Sequence, residues 1–288
     1  MVWKRVATAA VLIPAAVAAV LWGSLWLLSG LVGIITLLAL WEFFRLGNQA
    51  GFPGFVQWTT LCALLIVFMQ WREAAGAIAR LPYMGTATAS APLMGGIEAV
   101  LILFILGSAV AATLTNLAVN RRLAALMVST GGLLLVALPL SYLVRITGFA
   151  EGRRFLLLIL VLIWAGDTGA FFVGRTFAKI PMVPLLSPQK TWEGAAANLL
   201  GSLVVGVVAA RWLPVPEWSV LTLVALANVA GQVGDLLESA YKRSAGVKDS
   251  GVLLPGHGGM LDRIDSLILA APMAWWYLWW LSRTGHLR

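Results

Sequence analysis

The segment from residue 239 to residue 265 combines side chains that bind phosphate with side chains that bind metal ions. It contains the cations Lys242, Arg243, Lys248 and Arg263, the turn residues Pro255, Gly256, His257, Gly258 and Gly259, and the carboxylates Asp262 and Asp265. Lysine and arginine neutralise phosphate charge, glycine lets backbone N–H groups turn toward an anion, and aspartate holds Mg²⁺. The segment therefore predicts a triphosphate site with a divalent cation. His257 either donates a hydrogen bond in that site or only stabilises the turn.

A line of polar residues leads into this segment. Asn228, Gln232, Asp235, Ser239 and Lys242 are spaced four, three, four and three residues apart, which places them on one face of a helix. We expect Asn228 and Gln232 to join two helices through hydrogen bonds. An aspartate inside an apolar span costs about 2.5–3.5 kcal/mol. A bound metal ion would offset that cost, so Asp235 is a candidate metal ligand.

Three other aspartates are candidates for the same site. Asp262 and Asp265 are three residues apart where the next apolar run begins, so they share a face if a helix starts there. Capping of that helix by one of the two is the alternative. We predict that at least one of them binds metal. Asp167 lies in an apolar run among small residues that allow close helix packing, and the argument made for Asp235 applies to it.

A second polar stretch, residues 187–194, separates two of the apolar runs. It reads Ser187-Pro188-Gln189-Lys190-Thr191-Trp192-Glu193-Gly194. Its hydroxyl groups and its lysine are of the kinds that contact phosphate or the ring of a nucleotide base. The alternative is that Ser187 or Thr191 caps the helix that follows.

Long apolar runs must position both polar stretches. The chain is 60% hydrophobic and 11% charged, whereas soluble domains carry about 25% charged residues. Because backbone groups in lipid must be paired within their own segment, we predict an all-α polytopic membrane protein with about nine transmembrane helices. The predicted spans are residues 6–22, 24–42, 55–71, 97–118, 123–144, 155–175, 194–213, 219–238 and 263–281.

The distribution of lysine predicts the orientation of these spans. A net charge of +8 marks cytoplasmic loops in such a protein and does not indicate a nucleic-acid partner. If the N-terminus is inside, Lys4, Lys179, Lys190, Lys242 and Lys248 all lie inside. We therefore expect an integral protein of a bacterial inner (plasma) membrane, with its site facing the cytoplasm and no nucleic acid bound.

The two halves of the chain differ in their acidic residues. All aspartates follow residue 160, whereas the first half has glutamates only, such as Glu42, Glu73 and Glu98. We predict a scaffold of about five helices in residues 1–150. Residues 151–288 are predicted to form a catalytic region of about four helices with two cytoplasmic active-site loops.

The segment from residue 239 to residue 265 resembles the signature of the phosphatidate cytidylyltransferases, which are also called CDP-diglyceride synthases. The matching positions are Lys242-Arg243, Lys248-Asp249, Pro255, His257-Gly258-Gly259 and Asp262-Arg263-x-Asp265. The Asp-Thr-Gly-Ala sequence at 167–170 and the Ser-Pro-x-Lys-Thr-x-Glu-Gly sequence at 187–194 are similar to further motifs of that family. The resemblance is strong from about residue 160 to residue 266 and only general before that.

The resemblance implies an enzyme, a nucleotidyltransferase of phospholipid biosynthesis that joins CTP to phosphatidate, releases pyrophosphate and leaves CDP-diacylglycerol in the bilayer. It also implies a homodimer and a cytoplasm-facing Mg²⁺ site, with room for a second, monovalent cation. Asp235 and Asp262 are the implied metal ligands, and Asp167 is a third candidate. The implied catalytic residues are Asp265, His257, Lys242 and Arg263, and the implied substrate-binding residues are Ser187, Lys190, Thr191, Glu193, Arg243, Lys248, Gly258 and Gly259.

Three other functions compete with this interpretation. A CTP-dependent lipid-alcohol kinase would transfer the γ-phosphate, and the full signature argues against it. A CDP-alcohol phosphotransferase would end its motif in Asp-x-x-x-Asp, but only two residues separate Asp262 from Asp265. A membrane transporter would also use intramembrane aspartates. Concentration of the polar residues in two cytoplasmic loops disfavours the transporter.

Overall fold

Helices make up most of the computed structural model, which describes residues 2–80, 96–177, 179–251, 253 and 258–287. Within those residues the helices are α1 (Val2–Trp22), α2 (Leu25–Gln49), α3 (Val56–Arg80), α4 (Gly96–Leu114), α5 (Val119–Gly132), α6 (Leu138–Ile146), α7 (Gly152–Phe177), α8 (Trp192–Ala210), α9 (Glu217–Ser244) and α10 (Leu261–Arg283). The predicted all-α membrane fold is confirmed. The side chains of residues 2–9, which include Lys4, lie outside the described part.

Seven helical rods in the described ranges are long and apolar enough to cross a bilayer. They are α2, α3, α4, the continuous rod Val119–Ile146, α7, α8 and α9. Large apolar side chains such as Leu103, Ile105 and Val204 point away from the protein interior, as expected for helices that face lipid. The helices α1 and α10 occupy the positions of the first and last predicted spans. The total of about nine spans stays a prediction.

The rod Val119–Ile146 contains a π-helical turn at Leu133–Ala137, between α5 and α6. Pro139 follows the end of that turn by two residues. Proline has no N–H to donate to the carbonyl four residues earlier, and its ring crowds that carbonyl, so the helix widens locally instead of breaking. The chain therefore crosses this region as one rod, as the sequence predicted for residues 123–144.

The second half of the chain packs as consecutive neighbours: α7 on α8, α8 on α9, and α9 on α10. The helices α9 and α10 approach closely, because a Cβ atom placed on Gly234 would lie 2.5 Å from the carbonyl oxygen of Asp265. Glycine is therefore required at position 234 for the two backbones to meet. The helix α10 also packs on α6, and α6 on α3, which joins the two halves of the bundle.

A short hairpin connects α7 to α8, in the stretch that the sequence predicted as a loop. Its strands β1 (Pro181–Val183) and β2 (Ser187–Thr191) are antiparallel, with Val183 opposite Ser187 and Pro181 opposite Thr191. The pairing satisfies backbone groups that neither helix can reach. Sequence reasoning missed these strands because a three-residue strand carries no readable alternation of polarity.

We expect Gly234→Ala to destabilise the protein, because the added methyl group must push α9 and α10 apart. Overpacking of this kind typically costs about 1–3 kcal/mol. Thermal unfolding in detergent should show a lower Tm for this variant. The matched control is Gly174→Ala in α7, where nothing lies near the added Cβ and alanine favours the helix. Equal Tm values for the two variants would contradict the packing argument.

Candidate active site

A cavity of about 240 Å³ opens between α7, α9 and α10. Four aspartates, one arginine and a hydroxyl group line it together with apolar side chains. The lining residues are Leu160, Ile163, Trp164, Asp167, Asp235, Asp262, Arg263, Asp265, Ser266 and Leu267. The structure thus brings together the four aspartates that the sequence singled out, although they come from three helices.

Three carboxylates, two of which line this cavity, lie close enough to share one cation. Oxygen atoms of Asp235 and Glu238 on α9 and of Asp265 on α10 all lie within 4.8 Å of one another. The sequence analysis missed Glu238. Its spacing could have revealed it, because it follows Asp235 by three residues and precedes Lys242 by four on the same helix face.

The surroundings of Glu238 favour a cation at this cluster. Its side chain is 0% exposed, and among the described residues no neutral group donates a hydrogen bond to either carboxylate oxygen. Its charged partner is the ammonium group of Lys242, whose Nζ lies 2.6 Å from Oε2. Three neighbouring carboxylates repel one another unless positive charge lies between them. Hard divalent cations prefer oxygen ligands of this kind, so the cluster could hold a metal ion.

Lys242 also contacts Asp262, with Nζ 2.8 Å from Oδ1. The Asp262 carboxylate accepts further hydrogen bonds from the backbone N–H groups of Gly259, at 2.8 Å, and Ser250, at 3.0 Å. Both donors belong to the loop that precedes α10, so these contacts fix that loop and are not a cap of the helix. The same carboxylate lines the cavity, and its role as a metal ligand stays a prediction.

Asp167 is positioned by a line of amide side chains. Nδ2 of Asn198 on α8 donates to Oδ1 of Asp167 at 3.2 Å, and Asn228 on α9 donates to Oδ1 of Asn198. Gln232 in turn donates to Oδ1 of Asn228 at 2.7 Å and to the carbonyl oxygen of Ala195 at 3.2 Å. Asn228 and Gln232 therefore join α8 to α9, as the sequence predicted.

The hairpin brings the residues of the second polar stretch to the same end of the bundle. Lys190 on β2 forms an ion pair with Asp235, with Nζ 2.6 Å from Oδ1, and lies 3.5 Å from Oγ of Ser239. Thr191 caps α8 by accepting from the N–H of Gly194 at 3.2 Å, and its contact with a substrate stays a prediction. Of the predicted substrate-binding residues here, Lys190 is the one in direct contact with the acidic cluster.

The remaining predicted residues lie around this centre. Arg243, in the last turn of α9, joins the two loops, because its Nε donates to the carbonyl oxygen of Leu186 at 3.1 Å and its Nη1 to that of Val247 at 3.3 Å. The side chains of Lys248 and Arg263 are exposed. Ser187 pairs with Val183 in the hairpin, Glu193 accepts from the N–H of Ile180 at 3.3 Å, and Gly258 has a φ of 82°. Pro255, Gly256 and His257 lie outside the described residues, so the two alternatives for His257 stay open.

Glu42 on α2 is a second residue that the sequence analysis did not assign to the site. Its carboxylate is buried and accepts hydrogen bonds from the N–H groups of Met260 and Leu261, at the start of α10. The same signal that identified Asp167, a carboxylate within an apolar run, could have identified Glu42. The division at residue 150 stays a prediction, and Glu42 of the first half contacts the loop that precedes α10.

A sequence model of the cytidylyltransferase family matches residues 3–281. Curated relatives include the phosphatidate cytidylyltransferase of Bacillus subtilis, 38% identical over 146 residues, which are 50% of this chain and 54% of that protein. The enzyme of the same name from Staphylococcus saprophyticus is 41% identical over 126 residues, 43% of this chain and 48% of the relative. That of Haemophilus influenzae is 42% identical over 134 residues, 42% and 44% of the two chains. The chain spans about half the length of the curated relatives it matches.

We expect Mg²⁺ to raise the Tm of the purified protein, because a ligand that binds only the folded state stabilises it. Glu238→Gln and Asp265→Asn should each abolish that rise, since each removes one charge and keeps the side-chain shape. Glu217→Gln, on the exposed opposite end of α9, is the matched control and should respond like the parent. A full Mg²⁺ response in Glu238→Gln would exclude this carboxylate from the metal site.

Proposed function

Since the chain belongs to the cytidylyltransferase family, we propose that it transfers the cytidylyl group of CTP to phosphatidate, forming CDP-diacylglycerol and pyrophosphate. The observation that carries this proposal is the cavity at which a carboxylate cluster and two paired lysines meet. Metal and phosphate are the ligands that such a combination suits. The choice of phosphatidate as acceptor is supported by the names of the curated relatives.

Asp235, Glu238 and Asp265 would hold the divalent cation, which we propose to be Mg²⁺, and Asp262 and Asp167 face the same cavity. When bound, Mg²⁺ supplies positive charge next to the phosphate oxygens of CTP and makes the α-phosphorus more electrophilic. Four aspartates line the cavity and Glu238 adjoins two of them, so a second, monovalent cation would also find oxygen ligands here.

The reaction is a displacement at the α-phosphorus of CTP. An oxygen of the phosphatidate phosphate forms the new P–O bond, and the bond to the bridging oxygen of pyrophosphate breaks. A phosphomonoester has a second pKa near 6, so the attacking oxygen is already largely ionised at neutral pH. A strong general base is therefore unnecessary, and catalysis depends on positioning and on neutralising negative charge.

The lysines can serve both carboxylate and phosphate. An ammonium group has three N–H donors. Lys242 contacts two carboxylates, and Lys190 contacts Asp235 and Ser239, which leaves each of them one donor for a phosphate oxygen. Arg263 lines the cavity and would contribute further charge.

The cavity suits the phosphate groups and not the whole nucleotide. Its volume of about 240 Å³ is below the roughly 300–1,000 Å³ of sites that enclose a small molecule. The cytosine ring would therefore extend toward the hairpin and the loop that follows α9. The residues we propose for substrate contact there are Ser187, Thr191, Glu193, Arg243, Lys248, Gly258 and Gly259, with His257 near the leaving pyrophosphate.

The apolar helices make the chain an integral membrane protein. We propose that it lies in a bacterial inner membrane as a homodimer, with the site on the cytoplasmic side and no nucleic-acid partner. Two facts support this orientation. The loops that carry Lys179, Lys190 and Lys248 adjoin the same end of the bundle, and lysine is enriched on cytoplasmic loops.

Purified protein incubated with phosphatidate, Mg²⁺ and CTP labelled at the α-phosphate should transfer the label to lipid. CTP labelled at the γ-phosphate should release its label as pyrophosphate, because the bond that breaks lies between the α- and β-phosphates. Label from the γ-phosphate in the lipid would identify a lipid kinase instead. Absence of label in lipid from either CTP would contradict both enzyme functions.

Cysteines introduced at positions 190 and 248 should react with an impermeant thiol reagent from the same side of the membrane. The reason is that Lys190 pairs with Asp235 in the second half of α9, and Lys248 follows the end of that helix by four residues. The background is a Cys62→Ala variant, which removes the single native cysteine. Labelling in right-side-out and inverted vesicles measures the side, and labelling from opposite sides would exclude a shared site.

A further inference from the structure

Glu42 holds the start of α10 from a helix more than 200 positions earlier in the chain. Its side chain is 0% exposed. Oε1 accepts from the N–H of Met260 at 2.9 Å, and Oε2 accepts from the N–H of Leu261 at 2.8 Å and from Oγ of Ser250 at 2.8 Å. Both oxygens of a buried carboxylate are thus used by the loop that precedes α10.

These contacts replace a helix cap. The N-cap residue of α10 is Met260, whose side chain makes no capping hydrogen bond. The first N–H groups of a helix need acceptors, and negative charge is favourable there. Glu42 supplies both the acceptor and the charge from α2. Gly251 and Gly259 make room for it, because a Cβ atom at either position would run into the Glu42 carboxylate.

The same contacts connect Glu42 to the cavity. The hydroxyl group of Ser250 lies 2.8 Å from Oε2 of Glu42 and 3.0 Å from Oδ2 of Asp262. Asp262 in turn pairs with Lys242, which pairs with the buried Glu238. One continuous line of contacts therefore runs from α2 through the loop to the acidic cluster.

We propose that Glu42 is a positioning residue, which fixes the first turn of α10 so that Asp262 and Asp265 face the cations and carboxylates of α9. The inference deepens the proposed function and rests on it for its kinetic part. Under this proposal, α2 contributes a residue that positions the site, although α2 belongs to the half of the chain that was predicted to be scaffold.

Glu42→Gln is the informative substitution, because it keeps the size of the side chain and changes one acceptor into a donor. The new NH₂ group would face an N–H or O–H donor, so at least one hydrogen bond is lost whichever way the amide turns. The matched control is Glu73→Gln on α3. Glu73 is also a glutamate of the first half and pairs with Arg145 at 3.4 Å, away from the cavity.

Two readouts do not depend on activity. Hydrogen exchange in a peptide covering residues 258–266 should be faster in Glu42→Gln than in the parent, because the N–H groups of Met260 and Leu261 lose a fixed acceptor. The Mg²⁺ concentration that gives half of the maximal rise in Tm should increase about 10–100-fold, the usual effect of removing a residue that orients metal ligands. Glu73→Gln should change neither quantity.

The kinetic readout is kcat for cytidylyl transfer, which should fall about 10–100-fold in Glu42→Gln. Glu42→Asp, which keeps the charge on a shorter side chain, should recover part of the loss.

Parent-like exchange and Mg²⁺ response in a folded Glu42→Gln would overturn the proposal. If that variant fails to fold, Ser250→Ala removes only the hydroxyl link to Asp262, and an unchanged Mg²⁺ response there would overturn it equally. Failure of the parent to transfer cytidylyl groups would refute the proposed function and leave the exchange and Mg²⁺ results to decide on Glu42.

Discussion

The ammonium group of Lys242 lies between two carboxylates, 2.6 Å from Glu238 and 2.8 Å from Asp262, where helix α9 meets the first turn of α10. A charged group buried between two helices is stable only with a partner of opposite charge. If one partner is removed, the other stays buried without a counter-charge, and its large cost of desolvation is no longer offset. The orientation of both helices around the cavity depends on this arrangement. The pair of Lys190 with Asp235 applies the same rule to the hairpin and fixes it against α9.

Most of the fold follows from local properties of the sequence. Apolar runs long enough to cross a membrane predict helices, and the spacing of Asn228 and Gln232 predicts a polar contact between neighbouring helices. The aspartates of the cavity could be found because a carboxylate among apolar residues is costly wherever it lies. Long-range partners could not be found, because Glu42 meets Ser250 across 208 positions and no local pattern encodes that meeting.

The roles of single residues were the hardest feature of the site to predict from the sequence. Thr191 and Asp262 were each assigned to ligand binding with capping as the alternative. Thr191 caps α8, whereas Asp262 accepts from N–H groups of the loop that precedes α10. A capping residue and a ligand-binding residue have the same chemistry, since both offer oxygen atoms at the end of a helix. Only the position of the surrounding elements separates the two roles. Glu238 differs from these residues, because it belongs to the acidic cluster although no sequence motif marked it.

The buried contact of Glu42 also has a consequence for the biogenesis of the protein. The hydrogen-bond donors of its carboxylate, among the residues that the structure describes, all lie between Ser250 and Leu261. Ribosomes add about 5–20 residues per second, so the 218 positions that separate Glu42 from Met260 correspond to roughly 10–40 s of synthesis. During that interval the Glu42 carboxylate exists without these donors. Synthesis of the loop before α10 and of the first residue of that helix is therefore the step that supplies them.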